Sequence, residues 1–386
     1  MRRWARVEFS PSCQGVRCYV DGGNLVVESS RPLKALSSAL LNGGLRRARS
    51  ILNHQVPCDF NEPNPAAYLE QVAHSLQLPR PVVGLMTAAA VNKASHRGLE
   101  CGAIAVDVFV TAGLSNAVSI LDSVDVKAVG TVNIILLVDG AVEDPCLVEL
   151  VRVVAEAKAE AFRRLDVRSR ASGRPATCTS TDSIVVACTR RGERVAYAGL
   201  ATELGRLVSL GVLEGVKEAV VKHEGLLPIR PLIKRLEERG ITFDDLVDAA
   251  LEPLVYHPDM GSREEVVEVL RECLLEALED INVASLVLAG LRLQEDGEEG
   301  LIPGLTAEAF KEDPVSLLAD EILGMEIAKY IAGTKGLFEF VRFDKAKPGV
   351  LKRLGPFMDD VIGGLIAGSS SNMYSRLLAK RRSRKP

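Results

Sequence analysis

Between Gly15 and Cys188 the chain runs in short bursts of branched and aromatic residues. GVRCYV, NLVVES, SILNHQV, PVVGLMT, AIAVDVFVT, TVNIILLV and SIVVAC are bounded by Gly, Pro, Asn or Ser, a pattern that predicts strands. NPAAYLEQVAHSL, DPCLVELVRVVAEAKAEAFRRL and LATELGRLVSLGVLEGVKEAV carry apolar positions three and four apart and predict helices, the second with Asp144 as N-cap and Pro145 at its first position. After Val221 strand signals nearly vanish: PLIKRLEERG, TFDDLVDAALEPLV, SREEVVEVLRECLLEALED, INVASLVLAGLRL, ADEILGMEIAKYIAG and PFMDDVIGGLIAG all read as helices. GLFEFVRFDKAKPGVLKRLGPF, between the last two, reads as a loop-like connection. The expected fold class is therefore two domains: a mixed α/β (α+β) sheet-and-helix domain over residues 1–222 and an all-α domain over 229–386. A linker at 223–228 joins them in VKHEGLLPIRP, where a Gly and two Pro interrupt the pattern. Residues 1–35 are expected to add a hairpin packed on the sheet.

Composition narrows the classes. The chain has 386 residues, 47% of them hydrophobic, enough for two or three cores. A net charge of −4 leaves no nucleic-acid footprint beyond the basic tail RLLAKRRSRKP, most simply a solvated terminus. The N-terminus lacks an apolar signal-peptide core, and the longest apolar stretches fall short of the ~20 residues that span a bilayer. The eight cysteines include no CxxC pair, so free thiols in a reducing cytoplasm are expected. Oligomeric state is left open.

Two helical segments share an odd scheme. Asp320-Glu321-Ile322-Leu323-Gly324 and Asp359-Asp360-Val361-Ile362-Gly363 each set two acids one turn before a glycine. One acid would suffice for an N-terminus, and a helical glycine costs roughly 1 kcal/mol relative to alanine, so something approaches the backbone there. If the helices pack at Gly324 and Gly363, then Asp320, Glu321, Asp344, Asp359 and Asp360 converge, and their charges require protons or a cation. A hard oxygen site without His or Cys suits Mg²⁺ or Mn²⁺ and phosphoryl chemistry, with Lys345, Lys347 or Arg342 balancing charge on the leaving group. Capping and surface ion pairs are the alternative duty for the same acids.

From about Leu232 to Leu378 the segments DEILG, FDKAKPG and DDVIGG stand in the order of the phosphatidylglycerophosphatase A superfamily, which this half resembles; RLEERGIT and YHPD look like its smaller soluble branch. The resemblance implies an all-helical, divalent-metal-dependent phosphomonoesterase with metal roles at those five acids. The Gly-Thr-x-Gly-Ser stretch of the membrane lipid phosphatases is not visible, which argues against a lipid substrate.

In the first half, small polar residues cluster where apolar runs end: LLNGGL, NHQVP, TAGLSNAVS, GTVNII, TCTSTDS and YAGLATELG. Each is an ordinary strand end or cap; gathered at one sheet edge they would line a broad pocket for an amide-rich ligand. His54, Thr181, Asp182 and Glu203 are the residues whose chemistry could serve hydrolysis there. SSALLNGG, TAGLSNA, GTVNII, EAKAEAF, TSTDSIVVAC and YAGLATELG, over about Ser37 to Val220, resemble the adenosylcobinamide amidohydrolase family. That resemblance implies hydrolysis of the amide joining aminopropanol to a corrin side chain; no cofactor is evident for this half.

The combination resembles the bifunctional archaeal enzymes of cobalamin salvage, whose helical half is an alpha-ribazole phosphatase. The expected partners are then two small-molecule substrates, adenosylcobinamide and alpha-ribazole phosphate, with no nucleic acid. The alternatives are a corrinoid-binding module fused to a phosphatase, and a helical half acting on a lipid phosphate.

Overall fold

The computed structural model describes residues 6–123, 130–192, 194–225, 229–257 and 260–382, and side chains to 381. The chain divides into two compact units, Met1–Ile229 and Arg230–Pro386. Residues 226–228 of the expected linker and Pro258 and Asp259 of YHPD lie outside the described residues.

Unit 1 is built on β1 (Val7–Phe9), β2 (Val16–Asp21), β3 (Asn24–Ser37), β4 (Gly44–Gln55), β5 (Val82–Thr87), β6 (Ser95–Cys101), β7 (Ile104–Ala112), β8 (Ala117–Val118), β9 (Val132–Asp139), β10 (Ala141–Val142), β11 (Cys178–Thr179), β12 (Ser183–Cys188) and β13 (Arg194–Val195). Its helices are α1 (Pro65–Ser75), α2 (Asp144–Leu165) and α3 (Glu203–Glu224). Nine strands form one sheet in the order β1-β2-β3-β12-β9-β7-β6, with β4 on the free side of β3 and β5 beyond it. The parallel pairs β4/β5 and β9/β12 are each connected through a helix, α1 and α2 respectively, as parallel neighbours require.

The N-terminal segment departs from expectation. It is not a hairpin laid on the sheet: β3 lies inside it, pairing with β2 over Asn24–Ser29, with β12 over Lys34–Ser37 and with β4 along both stretches. Its register with β4 shifts between Glu28 and Leu33, the kind of irregularity that bends a strand. The bend lets the two halves of the sheet share one core, in which Leu25, Val27, Ile51 and Leu85 meet Phe109, Ile135, Leu137 and Val185. The alternate residues Val108, Ile134, Leu136 and Val186 face α2 and α3. Burial on both faces is why TVNIILLV is apolar almost throughout. The α2 N-cap is Glu143 and not Asp144, which lies in the first turn and pairs with Lys34. Helix α3 runs on to Glu224, two residues into the expected linker.

Unit 2 is all-helical: α4 (Leu232–Glu237), α5 (Phe243–Leu251), α6 (Arg263–Glu279), α7 (Ile281–Glu298), α8 (Ala307–Lys311), α9 (Ala319–Ala332), α10 (Thr334–Ala346) and α11 (Pro356–Arg382). The segment read as a loop-like connection is mostly helix α10, followed by a 3-10 turn over Gly349–Arg353. Its Phe340 and Phe343, three apart, are buried in the core, and Gly336 packs on the Ala328 carbonyl. Helix α11 is buried on nearly all sides from Phe357 to Ser371, with α5, α6, α7, α9 and α10 packed around it. A helix that is apolar and small-residued all round takes the centre of a bundle.

Candidate functional site

Helices α9 and α11 cross at glycines. A Cβ on Gly324 would lie 2.5 Å from the Asp360 carbonyl oxygen, and one on Gly364 would lie 2.2 Å from the Gly324 oxygen. The partner of Gly324 is thus Gly364; Gly363, expected at the crossing, makes only ordinary contacts, the nearest at 3.6 Å. This approach brings the first turn of α9 beside that of α11. Asp320, Glu321 and Asp360 each offer a carboxylate oxygen within 4.8 Å of the others. Asp320 is 1% exposed and Asp360 5%, burial at which unpaired charge is costly.

The electrostatics follow. Burial, then the neighbouring Glu321 carboxyl, pushes Asp320 up to about 8. Burial, then Asp359, Asp320, Asp344 and Glu321, pushes Asp360 up to about 8. Asp359 rises only to about 6, because the Lys347 ammonium, 2.6 Å from its Oδ2, opposes the effect of burial. Lys347 itself sits in the left-handed region at the end of α10 (φ 39°), which turns it back toward α11. Asp344, half-buried on α10, acts on Asp360 through its charge. Of the other cations considered for this site, Arg342 is held by Glu339 and the Pro253 carbonyl, and Lys345 is exposed. Glu321 Oε2 and Asp359 Oδ1 are buried without a donor. A cluster of carboxylate oxygens with orphaned acceptors fits a hard divalent cation.

In unit 1 the inner face of the bent sheet changes from apolar to polar at one level. Following Ile51, Phe109, Ile135 and Val185 in their strands, the same face carries Asn53, Thr111, Asn133 and Ser183, of which Thr111 and Ser183 both pair in register with Asn133. Asn53 donates to Thr111 Oγ1 (3.0 Å), and Asn133 donates to Asn53 Oδ1 (2.9 Å) and to the Met86 carbonyl (2.7 Å). Since a carbonyl only accepts, the Asn133 amide nitrogen must face Met86, which leaves its Oδ1 buried without a partner.

Beside this lies Thr131, 3% exposed, whose Oγ1 donates to the Thr181 carbonyl (2.7 Å). The Thr181 hydroxyl donates to the Gly130 carbonyl (2.7 Å) and lies 3.0 Å from Thr131 Oγ1, in a residue that is exposed. Asn116, wholly buried, donates to Ser180 Oγ (2.7 Å), and its Oδ1 has no partner.

The sequence-predicted residues separate accordingly. Asp182 adjoins Thr181 but is saturated: it accepts from the N–H of Val132 and Thr179, from the Thr179 hydroxyl and from the buried Lys158 ammonium. It anchors the turn and has no free lone pair for a base. His54 lies on the opposite face of β4 from Asn53, bonded to Asn24 Oδ1 and Tyr68 Oη, with burial holding its pKa below the ordinary value. Glu203 is exposed at the start of α3, while the far end of that helix, Glu224, accepts the Leu114 N–H near Asn116. Twenty-two residues of helix, about 30 Å, put it at the other end of the sheet. Asn53, Thr111, Asn116, Thr131 and Asn133 were not singled out; the available signal was a polar residue at the same-face position ending each apolar run.

Residues 12–228 match the family model described as adenosylcobinamide amidohydrolase, and residues 265–375 match that of phosphatidylglycerophosphatase A. The adenosylcobinamide amidohydrolase of Methanosarcina mazei is 31% identical over 186 residues, 46% of this chain and 85% of the relative. The uncharacterized protein MJ1330 of Methanocaldococcus jannaschii is 38% identical over 122 residues, 30% of this chain and 93% of the relative. The low temperature requirement C protein from Listeria monocytogenes is similar at 27% identity over 38% of this chain and 93% of that one, with a TM-score of 0.34. Among the described residues no helix is long and apolar enough to cross a membrane. The chain belongs to the adenosylcobinamide amidohydrolase family through unit 1, and carries a phosphatidylglycerophosphatase A domain in unit 2.

Proposed function

We propose that the chain is a hydrolase with two activities in cobalamin salvage. Unit 1 hydrolyses adenosylcobinamide to adenosylcobyric acid and 1-aminopropan-2-ol, at the polar end of the bent sheet. Unit 2 removes the 5′-phosphate of alpha-ribazole phosphate with a divalent metal, Mg²⁺, held by Asp320, Glu321 and Asp360, with Asp344 and Asp359 contributing charge. The observation that carries the phosphatase reading is the triad of carboxylates, two buried and one half-buried, with oxygens within 4.8 Å of one another. Bound there, the cation supplies positive charge that draws electron density from phosphate oxygens.

The chain's own groups do the rest. Lys347, paired with Asp359, is the cation assigned to neutralise charge on the departing oxygen. Burial of Asp320 and Asp360 strengthens each of these attractions. In unit 1, buried amides and hydroxyls suit an uncharged, amide-bearing substrate.

The test measures both products from the full chain. Phosphate release from alpha-ribazole phosphate is expected to stop with chelator and return with Mg²⁺, while aminopropanol release from adenosylcobinamide continues. Phosphate release unaffected by chelator would sink the metal reading. A second reading, a phospholipid phosphate as substrate of unit 2, draws on the description of its family model; release from phosphatidylglycerophosphate vesicles and none from alpha-ribazole phosphate would favour it.

A further inference from the structure

The polar end of unit 1 gathers hydroxyls and amides away from His54 and Glu203, with Asp182 saturated by its own donors. Resting on the amidohydrolase reading, we propose that the Thr131 hydroxyl is the nucleophile that takes the acyl group from the scissile amide.

The acids and the lysine at the polar end are otherwise engaged. Asp182 and Lys158 pair with each other, and Asp182 is filled by three further donors. Glu224 accepts the Leu114 N–H, and the Cys178 thiol lies 4.0 Å from the Val118 carbonyl on the neighbouring strand β8. His223 lies against Gly113 without a hydrogen bond to any of these hydroxyls. Attack on a carbonyl then falls to a hydroxyl. Each of these hydroxyls has a partner: Thr111 accepts from Asn53 and Ser180 from Asn116, Thr179 donates to Asp182, Ser183 pairs with Ser38 at the exposed edge, and Thr131 donates to the Thr181 carbonyl.

Thr131 differs in three ways. It immediately precedes the central strand β9, and its hydroxyl lies 3.0 Å from that of the exposed Thr181. The residue before it must be glycine, since a Cβ on Gly130 would lie 2.6 Å from Asn116 Oδ1 and 2.8 Å from the Gly113 oxygen. Two wholly buried carboxamides at the same end, Asn116 and Asn133, keep an oxygen without a donor. Such acceptors are costly unless a ligand supplies the N–H, and an amide substrate does.

The chemistry balances without a co-reactant. Thr131 Oγ bonds to the amide carbonyl carbon. The C–N bond breaks as the Thr131 proton passes through the Thr181 hydroxyl, 3.0 Å away, to the departing amine. A water then cleaves the ester by the reverse proton path, releasing the carboxylic acid and restoring the hydroxyl. Thr181 is the proton relay in this scheme.

The full chain is assayed for aminopropanol release and for adenosylcobinamide binding by equilibrium dialysis, with hydroxylamine as a trap for the ester. Thr131→Ala is expected to cut release at least a hundredfold while binding persists, Thr131→Ser to retain part of it, and wild type to yield a hydroxamate. Thr181→Val is expected to lower kcat with KM unchanged, and Thr181→Ser to restore it. Release by Thr131→Ala within twofold of wild type overturns the assignment and leaves the amidohydrolase reading standing. If wild type releases no aminopropanol, that reading fails instead, and an acylating β-lactone decides the nucleophile: a label on Thr131 supports it, and its absence there overturns it.

Discussion

Replacing Asp360 by Asn separates a ligand site from a helix cap, because the two roles predict opposite signs for stability. The Asp360 carboxylate accepts no hydrogen bond from the described residues, so the isosteric amide loses little, and what changes is charge. Burial and four neighbouring acids raise its pKa from 3.8 to about 8. At about 1.36 kcal/mol per tenfold, that interval is an upper bound of roughly 6 kcal/mol for ionising it in the folded state. Glu321 and Asp344 are only half-buried, so the cluster reaches water, and screening reduces the figure to about 1–3 kcal/mol. The sign follows from proton binding: a carboxyl with a raised folded pKa contributes stability below the unfolded value near 4 and loses it as pH rises through 8. Metal-free wild type is therefore expected to weaken between pH 5 and 9. Asp360→Asn at pH 8 is expected to melt roughly 2–10 °C higher in its helical unit. Differential scanning calorimetry of the full chain, with chelator and then with Mg²⁺, reads this out. Mg²⁺ should raise the wild-type transition more than that of the variant, and phosphate release by the variant should fall at least about tenfold. A variant less stable than wild type in chelator, or one with unchanged phosphate release, would refute the reasoning.

Gly364→Ala places a methyl 2.2 Å from the Gly324 oxygen and should destabilise the helical unit by about 3 kcal/mol or more, whereas Gly363→Ala, with nothing nearer than 3.6 Å, should be tolerated; thermal melts compare them. Lys158→Met leaves the Asp182 carboxylate buried beside neutral donors alone and is expected to cost about 3–5 kcal/mol in chemical denaturation. His54→Gln should leave aminopropanol release within a few-fold of wild type, because the ring packs between Asn24 and Tyr68 on the far face of β4; a hundredfold loss would return it to the catalytic set.

Much of the fold was legible because strands and helices bury their faces with different periods. Every strand drawn from a β-branched run exists, and α2 and α3 start within three residues of the expected points. Helix α10 was misread because Gly333 and the Lys347-Pro348-Gly349 turn framed it as a connection, although Phe340 and Phe343 already carried helical spacing. β3 was placed outside the sheet because one sequence shows that a segment is a strand and not which strands it pairs with.

The sites divide the same way. Paired acids ahead of a glycine are a local pattern, so Asp320, Glu321, Asp359 and Asp360 could be named from the chain alone. The exclusion of His54 from the polar end depends on which face of β4 it occupies, and that of Glu203 on the direction in which α3 crosses the sheet. The gathering of Asn53, Thr111, Thr131 and Asn133 depends on register across three strands from distant parts of the chain. Residue chemistry and spacing determine which groups exist and how each segment folds; only tertiary packing decides which of them meet, because that choice is made by burial summed over the whole core.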